Sequence, residues 1–463
     1  MINTMMDIMT DIMKLSNWAA PLFFCVSLCG CEDYLAEKPN SSLAVPSSVG
    51  DFQALIDYQA RMNQYYPDGG DIAADFYYVN NTDWGSRQEY ARDIYVWSPG
   101  AENDRDWTVG YEKIFYANVV LDGIDNASLN GLSESDRQHV KGAALFIRGW
   151  TLYHLAQLFA PPYDPADRSN EYGLPLRLTP DINEPTLRAA VGDTYRQIET
   201  DLKDAAYLLP PQAVLATRPS KAAAYAALSR LYLVMGSYTE AQAYADSCLA
   251  IQPELMDYND LDTNQANSFR ELNPEVIFHA TVHGLSGILD PTFARADTTL
   301  YQSYHKDDLR RSLFFDFRND GSLRFRGSYY GSMYYIFCGL ATDEVYLTKA
   351  ECLIREGAWR DGVNVLEELL LTRWRKGAHL SLSINSAEDA LRTVLDERRK
   401  ELAFRGGVRW ADLRRLNGDE RFATTLTRRI NDNVYTLRPG DAAYTFLIPS
   451  SVMTQSDIRQ NPR

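Results

Sequence analysis

The feature that most limits what this chain can fold into is a helix–turn–helix unit that occurs twice. Residues 222–253 hold Gly236-Ser237-Tyr238, followed by Ala241, Ala245, Cys248 and Pro253. A shift of 121 positions lays Tyr225 on Tyr346, Gly236 on Gly357 and Tyr238 on Trp359. The same shift lays Ala241 on Gly362, Ala245 on Leu366 and Leu249 on Leu370. In each copy the glycine ends a first helix and the aromatic after it packs in the turn. Small residues at Ala241 and Gly362 let two antiparallel helices approach closely. A unit of this kind cannot bury its apolar face alone, so the rest of the chain must provide neighbours.

This is the tetratricopeptide pattern, here without its early Leu-Gly pair. Apolar periodicity provides the neighbours. A helix is predicted over 106–126, with Tyr111, Ile114, Phe115, Asn118, Leu121 and Ile124 on its inner stripe. Another is predicted over 133–159, with caps and first-turn acids in Ser133-Glu134-Ser135-Asp136 and a stop at Pro161-Pro162. Further helices are expected over 49–64, 191–208, 219–236, 238–251, 342–357, 359–374 and 387–405. Residues 65–105 and 254–341 differ: they are rich in Tyr, Asn, Asp and Gly, with only short strand-like runs such as 276–280. Stretches that long are expected to be excursions with function. The tail from Tyr435 reads as irregular. The expected fold is mainly α: a tetratricopeptide-like helical-repeat superhelix with an irregular, Tyr/Asn-rich, ligand-facing region. It is expected to be a single domain over 49–463, with its repeat helices in about 106–251 and 342–416.

With 463 residues and 45% hydrophobic content the chain can bury a substantial core. Its formal net charge of −16 argues against nucleic-acid phosphates and anionic membrane surfaces as partners. Tyrosine, at 29 against 18 Phe and 8 Trp, suits contact surfaces as well as cores. Residues 18–30 are apolar but too short to span a bilayer, and they read as the core of an export signal over residues 1–30. Asp7 and Asp11 are out of place upstream of it, and Met13-Lys14-Leu15-Ser16 makes the cleaner start. Leu28-Cys29-Gly30-Cys31 looks like a lipobox, in which the Cys31 thiol takes a diacylglyceryl group and becomes the first mature residue. Glu32 and Asp33 resemble the surface-export signal of Bacteroidota lipoproteins, and residues 31–48 read as a polar, lipid-anchored tether. Cys248, Cys338 and Cys352 then remain, an odd and widely spaced set that reads as buried thiols.

Several motifs together resemble the SusD/RagB family of outer-membrane nutrient-binding lipoproteins of Bacteroidota. Phe146-Ile147-Arg148-Gly149-Trp150 with Tyr153, Leu155 and Leu158 is similar to the family's Arg-Ala-aromatic helix. Lys221-Ala222-Ala223-Ala224 to Gly236 is similar to its central tetratricopeptide helix, and Glu344, Tyr346, Leu347, Ala350 and Glu351 to the next. The strongest motif is Glu397-Arg398-Arg399-x-Glu401-Leu402-x-Phe404, then Gly406, Arg409-Trp410-x-Asp412-Leu413-x-Arg415. Leu447-Ile448-Pro449 and Gln460-Asn461-Pro462 match the family's C-terminal elements. Arg405, where many members have Glu, and the added Gly407 depart from the pattern. The resemblance implies a role at the outer membrane on the cell surface, over a SusC-like TonB-dependent transporter, capturing an oligomeric nutrient.

Nothing in the residues supports catalysis. Glu397 and Glu401 are four apart on one helix face, but Arg398, Arg399 and Lys400 among them point to an ion-pair lattice. There is no His-Glu-x-x-His and no Gly-x-Ser-x-Gly, and His279 and His283 read as structural. No cofactor is expected; scattered Asp residues leave a structural calcium ion open. Binding is better supported, because a sugar presents C–H faces rimmed by hydroxyls and wants aromatic platforms beside amide, guanidinium and carboxylate groups. The segment 75–87 offers them outside a long helix, with Tyr77, Tyr78, Asn81, Trp84 and Arg87 as candidates. Arg324, Tyr329 and Tyr330, near Arg326, Tyr334 and Tyr335, offer them again. The expected function is non-catalytic capture of an oligosaccharide. A peptide-binding member of the same family and a tetratricopeptide scaffold for a protein partner are the alternatives.

Overall fold

The computed structural model describes residues 46–282 and 287–463. The export signal, Met13, Cys31, most of the tether and His283 lie outside the described residues. From Pro46 onward the chain forms one compact unit.

The helices start and stop where local chemistry requires. A capping box between Ser48 and Asp51 opens α1 (Val49–Ile56), and the chain breaks at Asp57-Tyr58 before a short turn of helix at Gln59–Met62, where one continuous helix was expected. Next come α2 (Asp104–Gly123) and α3 (Glu134–Phe159), the latter begun by a capping box in which Ser133 and Asp136 satisfy each other's backbone N–H. They are followed by α4 (Val191–Leu208), α5 (Lys221–Met235) and α6 (Tyr238–Leu249). The second half holds α7 (Thr342–Arg355), α8 (Trp359–Leu371), α9 (Ala387–Glu401) and α10 (Val408–Leu416). Each long helix from α2 to α8 packs on the next, and α9 closes against α7 and α8. The repeat is real at the level of backbone: Gly236 (φ +74°) and Gly357 (φ +94°) make the left-handed turns at corresponding places. A Cβ at Gly362 would stand 2.6 Å from the Ala350 carbonyl oxygen, so only glycine allows α8 to lie this close to α7.

On the inner stripe of α2, Ile114, Asn118 and Ile124 are buried, but Phe115 is exposed. Neighbouring residues on a helix point about 100° apart, and here the step from Ile114 to Phe115 leaves the face that packs on the core. Asn118 earns its buried place by donating to the Arg177 and Thr179 carbonyls and accepting from Arg148. In α3 nearly every residue from Val140 to Phe159 is buried, as suits the central helix of the stack.

Across the helices lies the irregular layer, built of two-stranded pairs. β1 (Tyr77–Tyr78) pairs with β3 (Arg295–Ala296), and β2 (Val276–Phe278) with β6 (Leu340–Ala341). β4 (Phe315–Phe317) pairs with β5 (Leu323–Phe325) in a hairpin. The tail is more regular than its sequence suggested: β7 (Leu426–Ile430) and β8 (Asn433–Leu437) form a five-rung antiparallel hairpin. The layer has its own aromatic core, in which Tyr258, Phe269, Phe314, Phe315, Phe325, Tyr329 and Phe337 meet. Cys248, Cys338 and Cys352 are buried thiols. No helix among the described residues is long and apolar enough to cross a membrane.

Candidate functional site

Glu397 and Glu401 do stand in an ion-pair lattice, but the cations that matter come from far along the chain. Arg310, fully buried, bonds Asp308 (2.7 Å), Glu397 (2.6 Å) and Glu401 (2.9 Å). Arg373, also fully buried, bonds Glu401 (2.8 Å) and Glu275 (2.9 Å). Neither arginine belongs to a local motif, which is why sequence reasoning missed them. Arg405, the departure from the family pattern, has a partner of its own in Asp343 at 2.7 Å. Gly407, the added residue, takes φ +75° at the start of α10 and donates its N–H to Asp71.

That lattice decides the fate of one candidate. Tyr329 is 2% exposed: its hydroxyl donates to Glu275 and lies 2.7 Å from the Tyr258 hydroxyl, and the Arg405 guanidinium covers its ring at 4.3 Å. It is a core residue, not a ligand platform. Tyr77 is buried as well, donating to the Ile72 carbonyl, because alternate side chains of β1 face opposite ways. Its neighbour Tyr78 points out, 41% exposed. Arg324 is held in a bidentate pair with Asp316 across the β4–β5 hairpin, both contacts at 2.7 Å, which leaves it little to offer a ligand. Arg326 is buried on the Thr263, Gln265 and Ser312 carbonyls.

The other candidates lie at or near the surface. Asn80 caps the short helix Asn81–Gly85 by accepting from Asp83 N–H, and Asn81 accepts from Asn431 N–H at the turn between β7 and β8. Trp84 is half-buried with the Arg92 guanidinium 5.4 Å from its ring. Arg87 lies 3.6 Å from the Phe293 ring centroid. Tyr330 is half-buried, its ring 4.3 Å from that of Tyr335, while Tyr334 and Tyr335 are 49% and 38% exposed. The stretch around Phe293 links the two segments. Arg295 reaches Asp83 at 2.6 Å, and Leu289, Pro291 and Ala294 line a small hollow with Met333 and Phe325. Residues 289–295 thus touch both the 83–87 segment and the hollow that Met333 lines.

Two larger clefts exist among the described residues. One, of about 790 Å³, lies between α9, the turn at 297–299 and the β7–β8 hairpin, with Tyr78 and Phe422 on its walls. Its lining includes Arg392, Arg399, Arg409, Arg421, Arg428 and Arg429 against Asp75, Asp297 and Asp396. Burial pushes the Asp75 carboxyl up, but Arg409 at 2.6 Å and Arg399 at 3.3 Å outweigh it and hold it below the usual carboxylate range. The other cleft, of about 860 Å³, is lined by Pro161, Pro162, Tyr163 and Tyr172 beside the α5–α6 turn, and no predicted site residue faces it. Among the described residues no group of three or more His, Cys, Asp or Glu side chains is arranged to hold a metal ion. His279 is buried, which pushes its imidazole down to about 4.

Comparison with known proteins agrees with this architecture. A family model described as "Starch-binding associating with outer membrane" matches residues 33–233, and one described as "SusD family" matches residues 340–450. A curated relative, SusD-like protein P2 of Formosa agariphila, is 25% identical over 86% of this chain and 90% of its own length. Among solved structures, a SusD superfamily protein from Bacteroides thetaiotaomicron is 21% identical with a TM-score of 0.73, over 90% of this chain and all of that one. The structure of a putative sugar binding protein from Bacteroides vulgatus is 20% identical with a TM-score of 0.71, over 91% of this chain and 99% of that one. The mainly helical, tetratricopeptide-like fold, the ordered motifs and both family matches therefore converge: the chain belongs to the SusD/RagB family.

Proposed function

We propose that the mature chain is a non-catalytic capture protein, held on the outer face of the outer membrane by lipid on Cys31. It takes an oligosaccharide at the cell surface and delivers it to a SusC-like TonB-dependent transporter. The family descriptions and the sugar-binding relatives favour a glycan as cargo. The observation that carries the reading is the ledge of Tyr330, Tyr334 and Tyr335. Tyr334 and Tyr335 stand out of a protein whose aromatics are otherwise mostly core, with the half-buried Tyr330 ring against that of Tyr335. Exposed tyrosine faces suit the C–H faces of sugar rings, and their hydroxyls, with the Arg87 guanidinium, suit the sugar hydroxyls.

The test is thermal stabilisation of the full mature chain in non-ionic detergent against panels of glycans and peptides. A ligand at 100 times its Kd adds about 2.7 kcal/mol to the folded state. Stabilisation by a glycan class, lost in Tyr334→Ala and Tyr335→Ala and with no cleavage products, supports capture on the ledge. Stabilisation by peptides alone moves the reading to a peptide-binding member. Silence in every well, with a transporter still co-purifying, moves it to a protein scaffold.

A further inference from the structure

The cleft between α9 and the β7–β8 hairpin is not accounted for by the aromatic ledge. In a chain of net charge −16, its walls carry more guanidinium groups than carboxylates. The carboxylates are largely committed. Asp75 is clamped by Arg409 and Arg399, Asp297 lies 3.8 Å from Arg399, and burial pushes the Asp396 carboxyl up. Arg392 and Arg421 are engaged with Glu388 (2.8 Å) and Asp419 (2.6 Å), in exposed pairs of the kind that contribute little. Their guanidinium groups also flank the Phe422 ring at 5.3 and 5.2 Å.

Two guanidinium groups, those of Arg428 and Arg429, are left without a carboxylate among the described residues. Arg429 is exposed and makes no ion pair there. Arg428 is buried against the rings of Tyr95 and Trp97, and its hydrogen bonds go to the backbone carbonyls of residues 72, 73, 74 and 95. The Nε of Arg399 is buried with no hydrogen-bond partner. A buried cation lacking a counter-charge is costly, and a cleft with low-dielectric walls concentrates its field on whatever enters. The remaining lining mixes aliphatic residues such as Val79, Leu395 and Leu426 with hydroxyls and rings, among them Thr298, Thr425 and the outward face of Tyr78. Hydroxyls beside a ring suit a saccharide, and uncommitted guanidinium suits its acidic substituents.

We propose that this cleft is a subsite for the carboxylate or sulfate groups of an anionic oligosaccharide. The saccharide part rests on the capture reading above, whereas the anionic part rests on the cleft's own charge. Two matched pairs of probes separate the sources: oligogalacturonate against its methyl ester, and a carrageenan oligosaccharide against its desulfated form. Calorimetric titration of the full mature chain in detergent is expected to give about tenfold tighter binding of the charged member in at least one pair, shrinking as salt is raised. Arg429→Glu is expected to abolish that preference and Arg429→Lys to keep most of it; the side chain is exposed and makes no ion pair among the described residues, so folding is not at stake. Equal affinity within both pairs overturns the proposal, as does a preference that survives Arg429→Glu or a failure of both charged members to bind. Neutral glycans that still bind in a Tyr334-dependent way would leave capture standing while this subsite falls.

Discussion

In the α7–α8 hairpin the packing surface is apolar and local. Leu347, Ala350 and Ile354 meet Leu366, Leu369 and Leu370, and Gly362 removes the one side chain that would hold the helices apart. In the layer over 254–341 much of the same work falls to charge. Arg310 is joined to Glu397 and Glu401 from 87 and 91 residues away, and Arg373 bridges Glu275 and Glu401 with no exposure to solvent. A regular hairpin can specify itself through periodicity, because every third or fourth side chain is brought to one face by the helix itself. A segment without periodicity has no such face, so its place on the helices is set by a few groups that are costly to leave unpaired.

The sharpest way to break this contrast is Arg373→Ala. It leaves Glu275 and Glu401 buried beside one fewer cation, and the expected loss is about 3–5 kcal/mol in urea unfolding. A loss below about 1 kcal/mol would mean that the layer is held by its aromatic core instead. Gly362→Leu tests the other side. It forces a branched side chain against the α7 backbone, and overpacking of that kind is expected to cost about 2–3 kcal/mol by the same measurement. If the variant is neutral, the close approach of α7 and α8 is not what the repeat depends on.

The third test separates paired from unpaired buried acids. Burial pushes the Asp71 carboxyl up to about 8, opposed by hydrogen bonds from the Gly407 N–H. Between the ordinary value of 3.8 and about 8 the folded chain keeps a proton that the unfolded chain has released, so this group's contribution to stability falls as pH rises through that window. His279, pushed down to about 4, gives the opposite slope up to its ordinary value of 6.5, so the comparison is made against the wild-type chain at each pH. Asp71→Asn is expected to gain on wild type by on the order of 2 kcal/mol between pH 4 and 8 in denaturation midpoints. Parallel curves would show Asp71 ionising as an ordinary carboxylate. The smallest effect on stability is expected on the ledge. Tyr334→Ala and Tyr335→Ala should stay within about 0.5 kcal/mol of wild type while losing glycan stabilisation. A larger loss would make those rings part of the core.

The legible part of the fold follows the same division. The helix expected over 191–208 is α4, and Ser133 does open α3, because caps and apolar spacing act over a single turn or two. The β7–β8 hairpin went unread although its signal is present: Leu426, Arg428 and Ile430 alternate inward on one strand, around the turn at Asn431-Asp432. Arg428 interrupts the apolar pattern, since its buried place is secured by carbonyls rather than by a hydrophobic neighbour. At the candidate site, Tyr78 and Tyr77 are the same residue type side by side, yet one is exposed and the other core. Only the pairing of β1 with β3 decides which is which.

Sequence alone therefore determined the repeat, the positions of the long helices and the family. Each of these depends on spacing or composition, which a chain carries before it folds. The tertiary structure decided that Tyr329 is core while Tyr334 and Tyr335 are surface, that Arg310 and Arg373 tie the irregular layer to the helices, and that six arginines surround one cleft. Those outcomes depend on contacts between residues far apart in the chain, and no local rule of side-chain spacing encodes them.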